Sequence, residues 1–169
     1  MSDESFENLE FDIEAADART LRLAAPLVTP ERLAGYIRYL ESFHAQLHAT
    51  SIRGTGDAAH VADSHRRAQA DSGVDLECFG PLSALVADFA AKRGTVQALR
   101  RRLDELGERE GDMGLREREE AIRKELVRLD SLAPLERRYG AVAIALLMAH
   151  EALLIRLQSE VSRVLAGHS

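Results

Sequence analysis

The chain has 169 residues, the length of one domain, and 28 acidic against 22 basic side chains give it a net charge of -6. Its single cysteine, Cys78, excludes an intrachain disulfide framework and any cysteine-rich zinc or iron–sulfur site. Hydrophobic residues make up 46% of the sequence but aromatics only 5%, with no Trp, so the expected core is Leu, Ala, Val and Ile; the abundance of Ala, Leu, Arg and Glu favours helix over sheet.

The charge is unevenly placed. Residues 1–18 hold seven acids (Asp3, Glu4, Glu7, Glu10, Asp12, Glu14, Asp17) and no Lys or Arg. The other 151 residues carry 21 acids and 22 bases, a net of +1. Residues 1–28 therefore read as an acidic, flexible arm. Phe6, Leu9, Phe11 and Ile13 are set among its acids, a pattern suited to docking on a partner protein. The arm lacks the apolar stretch of a secretory signal. The longest apolar run, 141–155, is interrupted by His150 and Glu151 and falls short of the ~20 residues of a membrane span. The near-neutral body has no concentrated Lys/Arg face for nucleic acid. The expectation is a cytoplasmic protein that binds neither membrane nor nucleic acid.

Residues 29–169 are expected to form one helical-bundle domain. Thr29-Pro30-Glu31 is a helix start: Thr29 can cap, Pro30 suits the first helical position, and Glu31 meets the positive end of the dipole. Leu33, Ile37, Leu40 and Leu47 then recur at helical spacing, predicting a helix over about 30–50. The following Gly54-Thr55-Gly56 lacks the Gly-Lys-Ser/Thr ending of a phosphate loop. A short helix is expected over 57–70. Val61 is the one bulky aliphatic between Asp57 and Gly73, so this helix should lie loosely on the surface. Residues 73–80 read as a linker, and Cys78 as a linker or packing cysteine.

Gly80-Pro81 is expected to open a long helix, 81–107. Leu82, Leu85, Phe89, Lys92, Val96, Leu99, Leu103 and Leu106 fall on alternating spacings of three and four, a heptad seam with one polar break at Lys92. A glycine-rich turn follows, and Leu115, Ile122, Leu126 and Leu129 resume the spacing over 114–131. The two helices read as a coiled-coil hairpin, 81–131, whose flanks mix both charge signs. Pro134 then starts a last helix that is expected to run unbroken to Ala166, roughly 50 Å at 1.5 Å per residue. It is apolar nearly all round, except for a small-or-basic face of Arg138, Ala145, Ala149, Ala152, Arg156, Ser159 and Arg163. The predicted fold is all-α: an elongated antiparallel helical bundle with a coiled-coil hairpin and an acidic N-terminal arm. The long seam and the apolar last helix exceed what one bundle covers, which predicts a homodimer.

Polar groups on apolar faces are the candidate chemistry. At 100° per residue His44 falls at the centre of the Leu33-Ile37-Leu40-Leu47 stripe, with His48 and Glu41 on the same side. Glu41 and His44 have the Glu-x-x-His spacing of bundle metal sites, and His44 and His48 are i, i+4. His150 and Glu151 break the apolar last helix. If the first and last helices are neighbours, Glu41, His44, His48, His150 and Glu151 converge, and such donors would suit iron, manganese or zinc. The competing expectation is a set of separate, hydrogen-bonded core histidines, since the second Glu-x-x-His of a di-iron bundle is absent. Asp57, His60 and Ser64 share a face without a nucleophile elbow and read as solvated. The functional expectation is a non-catalytic interaction, adaptor or scaffold protein that contacts another protein through its acidic arm or its hairpin, without a cofactor. The alternative is a metal- or haem-binding bundle.

Overall fold

Thr29 caps the first helix as its place before Pro30 predicts. Its Oγ1 accepts the Arg32 N–H at 3.2 Å and its carbonyl accepts the Leu33 N–H at 2.9 Å. From there the computed structural model describes residues 28–53, 58–107 and 113–166. The chain is all-α. Seven helices occupy the described residues: α1 (Pro30–Arg53), α2 (Ala58–Ser72), α3 (Leu76–Gly107), α4 (Met113–Asp130), α5 (Ala133–Tyr139), α6 (Ala141–Met148) and α7 (Glu151–Ala166). The acidic arm lies outside the described residues.

One core joins α1, the first half of α3, α6 and α7, with Leu33, Leu47, Leu85, Phe89, Leu147 and Leu154 fully enclosed. On α1 the buried stripe is rotated from the expected one. Tyr36, Tyr39 and Phe43 are buried while Ile37 is only half-buried. Aromatic rings bury more apolar area than any side chain on the His44 side, so they decide which face turns inward.

The expectation of a loose helix over 57–70 fails. α2 packs closely on α1, and Ser64, Ala68 and Ser72, spaced by four, are all buried. The helix lacks bulk because its backbone sits close to its neighbour. A Cβ built on Gly35 of α1 would stand 2.8 Å from the Ser72 carbonyl oxygen and 2.8 Å from a Val74 methyl. Gly73, at φ 71°, ends α2 in the left-handed region that glycine adopts without strain.

α3 starts at Leu76, one turn earlier than the expected opening at Pro81. Asp75 takes up its first turn, its carbonyl accepting the N–H of Cys78 at 3.0 Å and of Phe79 at 2.9 Å. Pro81 inside the helix forfeits one backbone bond. The extra turn buries Phe79 against Tyr36 and Tyr39, with ring centroids 5.5 and 4.8 Å apart, and this burial offsets the loss. The expected linker over 73–80 is thus mostly helix, and Cys78 lies in α3, half-buried against the core, as a packing rather than a linker cysteine.

The expected unbroken last helix is three helices. Gly140 separates α5 from α6 at φ 91°, ψ 143°, a conformation closed to L side chains. Ala149 and His150 form a turn between α6 and α7, where the His150 N–H reaches the Leu147 carbonyl at 3.0 Å, and the two helix axes are bent by 79°. The break places the whole small-or-basic face, from Arg138 to Arg163, on the surface. It also leaves Val142 76% exposed, so α6 is not the central helix of a bundle. Among the described residues no single helix is long and apolar enough to cross a membrane; α6 and α7 reach that composition only together, across the bend.

Candidate functional site

The five donors expected to converge do not. Glu41 and His48 are exposed and His44 is half-buried, because the aromatic face of α1 took the core. The His44 and His48 rings lie 6.1 Å apart between centroids. His150 is exposed in the turn between α6 and α7, off the apolar face on which an unbroken helix would have placed it. Glu151 is engaged elsewhere: its carboxylate accepts from Arg93 Nε at 2.8 Å, with Gln97 at 3.5 Å. Among the described residues no three His, Cys, Asp or Glu side chains are placed to hold a metal ion. Phe6, Leu9, Phe11 and Ile13 of the arm lie outside the described residues. Ser64 is buried and His60 exposed, so they share no solvated face.

Arg93 is a buried group that the heptad seam concealed. The expected polar break, Lys92, is half-buried, whereas its neighbour Arg93 is almost fully enclosed. Its guanidinium spans two helices, reaching Asp130 at the end of α4 at 2.8 Å and Glu151 at the start of α7 at 2.8 Å. Arg100 holds the other Asp130 oxygen at 3.0 Å. Burial opposes the charge on Arg93, but the hydrogen bonds to the two carboxylates outweigh it and raise its pKa. The hydrogen bond from Arg93 likewise holds Asp130 below the usual carboxylate range. Glu151 also sits in the first turn of α7, where the helix dipole favours an anion. This network ties the end of α4 to α3 and α7, near the point at which α3 leaves the core.

Beyond that point, among the described residues, α3 and α4 pack mainly on each other. They run in opposite directions, since Arg93 meets Asp130 while Leu106 and Leu115 line one cleft. Leu99, Leu103, Leu106, Leu115, Ile122, Leu126 and Leu129 are the expected seam, and every one of them is half-buried. No residue of α3 after Val96 and no described side chain of α4 is buried. A groove of about 460 Å³ opens on the pair, lined by Leu106, Ala121 and Ile122 between Arg102 and Arg118. The flanks carry eight basic and seven acidic side chains over 99–107 and 113–130.

A second concavity, of about 480 Å³, opens where α1, α2, α3 and α7 meet. Tyr36, Tyr39 and Phe43 line it together with His65 and Ser83. The Tyr39 hydroxyl and His65 Nδ1 are 2.8 Å apart, and the Tyr36 hydroxyl donates to Ser83 Oγ at 2.9 Å. Burial raises the pKa of both phenols. Sequence reasoning missed this site because its walls come from four helices. The one available signal was the gathering of Tyr36, Tyr39 and Phe43 in a chain with three Tyr and five Phe.

Compared with protein-family models, curated proteins and solved structures, the chain matches none.

Proposed function

We propose that this chain is a non-catalytic interaction module whose contact surface is the α3–α4 hairpin, and that a second copy of the chain covers it. The single observation that carries this reading is the absence of any buried side chain along the described part of α4, despite its periodic Leu and Ile. A two-helix pair encloses its seam from one side only, whereas a/d residues are fully desolvated when further helices close over them. Two hairpins packed face to face would make a four-helix arrangement and bury the seven half-exposed seam residues.

The balanced flanks favour a copy over a foreign partner. A surface with eight cations and seven anions neither repels itself nor selects a strongly acidic or basic protein. An isologous contact lets each Arg-flanked stretch meet the acidic stretch of its twin. As an adaptor, the dimer would present two acidic arms from one rigid body.

The test is sedimentation equilibrium of the full chain and two variants. Ala121 is exposed in the groove but is not a seam residue, so Ala121→Glu adds a charge there without removing an α3–α4 contact. A dimer that weakens about tenfold or more in Ala121→Glu, but not in the exposed control Ala59→Glu, supports the reading. A monomer for all three, or a dimer indifferent to Ala121→Glu, overturns it.

A further inference from the structure

We propose that the α3–α4 hairpin is a hinged arm that pivots on the body at Gly94-Thr95 of α3 and at Ser131-Leu132 after α4, with the Arg93 network as the clasp that holds it in one orientation. The proposal rests on the hairpin as contact surface only for its purpose, because the orientation decides how two seams meet. The hinge itself is a property of the single chain.

Both limbs of the hairpin weaken at one level. Gly94 lies inside the 32-residue α3, yet neither its backbone nor its surroundings call for glycine. Its φ is not positive, and among the described residues a Cβ there would meet an Ile155 methyl at an ordinary 3.6 Å. A glycine inside a helix costs it about 1 kcal/mol against alanine. Thr95 weakens the same turn: its Oγ1 donates back to the Ala91 carbonyl at 2.9 Å, a contact that bends helices. On the other limb α4 ends at Asp130, and Ser131-Leu132 is not helical before α5 begins at Ala133. The two weak points stand side by side, since their neighbours Arg93 and Asp130 are 2.8 Å apart. Val96 is the last buried residue of α3, so no enclosed side chain of the described hairpin ties it to the body beyond this level.

The clasp crosses that level. Arg93, on the body side of Gly94, donates from Nη1 to Asp130 on the hairpin and from Nε to Glu151 on α7, each at 2.8 Å, and its side chain is 8% exposed. Removing either partner of an enclosed ion pair leaves a charge uncompensated. A swing of the hairpin draws Asp130 away from Arg93, so electrostatics select the closed orientation. Arg100 of the hairpin holds the second Asp130 oxygen and moves with it. The lever is long: a kink of ~20° at Gly94 carries Asp104, about 15 Å further along α3, through about 5 Å.

The test measures the distance between spin labels attached through Asp104→Cys on the hairpin and Ala70→Cys on α2, both exposed positions. It uses the full chain with Cys78→Ser, in an excess of unlabelled chain that removes distances between copies. The intact clasp should give one narrow distance. Glu151→Gln keeps the shape and removes one carboxylate, and Arg93→Met fills the space without a charge. Each should broaden or shift the distance by about 5 Å with the helical circular dichroism intact, and Glu151→Gln decides alone where Arg93→Met loses that signal. Adding Gly94→Ala and Thr95→Ala to Glu151→Gln stiffens α3 and should restore a narrow distance. A broad distance with the clasp intact, an unchanged one in Glu151→Gln, or a broadening that Gly94→Ala and Thr95→Ala do not reduce would overturn the proposal. The result is separate from self-association: a hinge found in a chain that sediments as a monomer supports the proposal and removes only the second copy.

Discussion

A methyl group added at Gly35 meets the Ser72 carbonyl oxygen and a Val74 methyl at 2.8 Å, and a backbone oxygen cannot swing aside. Gly35→Ala should therefore cost about 1–3 kcal/mol by overpacking, read as a lower midpoint of urea unfolding. At Gly94 the same methyl lies 3.6 Å from Ile155, an ordinary contact. Gly94→Ala should instead stabilise by about 0.5–1 kcal/mol, because alanine restricts the unfolded chain and favours helix. Equal effects from the two substitutions would contradict the packing described. The three tyrosines give a second test. Burial raises the pKa of Tyr36, Tyr39 and Tyr139, and Tyr139 also donates its hydroxyl to Asp88 at 2.9 Å. Unfolded phenols titrate near pH 10. A raised folded pKa gives stability that is fully present below about pH 10 and is lost as pH rises beyond it. At about pH 10.5 the native chain should show little tyrosinate absorbance where the urea-unfolded chain shows much. A phenol ionising at about pH 10 in a fully helical chain would count against this. At this scale the sequence was partly legible. Leu82, Leu85, Phe89 and Val96 are buried as their spacing predicts. Arg93 and Gly35 were not legible, because a buried charge or a close approach is defined by a neighbour distant in the chain.

Helices are where local signals worked at starts and failed at breaks. Thr29-Pro30 marks the start of α1 because capping is a property of adjacent residues. The break at 149–150 has no proline or glycine to mark it; the chain turns there so that α6 and α7 can both reach the core, a tertiary demand. The same demand turned the aromatic face of α1 inward and left Glu41, His44 and His48 without the core position that their spacing suggested. The metal expectation rested on the His44-centred stripe facing the core and on an unbroken last helix. The junction of α3, α4 and α7 has its own pH signature. Asp130 is held below its ordinary pKa by Arg93, so its contribution is present above about pH 4 and is lost as pH falls further. Asp130→Asn should flatten the acid limb of the stability curve while leaving its neutral-to-alkaline limb in place. An acid limb unchanged by that substitution would show that the pair is screened. Arg93→Ala should be the more damaging change, by about 2–4 kcal/mol, since it leaves Glu151 half-buried without its cation.

At the scale of the whole molecule, the described residues divide into a packed body and a pair of helices with a seam that is only half enclosed. That division explains why the hairpin was the most legible of the candidate surfaces. Heptad spacing is local, whereas the aromatic concavity needs four helices brought together. It also sets the order of stability among the described helices: α1, with its fully enclosed Leu33 and Leu47, should open last, and α4, with no described side chain buried, first. A second copy over the seam would change that order, and hydrogen exchange followed by mass spectrometry reads it residue by residue. If a copy covers the hairpin, protection of the α4 amides should rise with protein concentration while that of α1 and α2 stays fixed, and Ala121→Glu should abolish the rise. Protection of α4 that is independent of concentration, in the native chain as in the variant, would contradict the central claim.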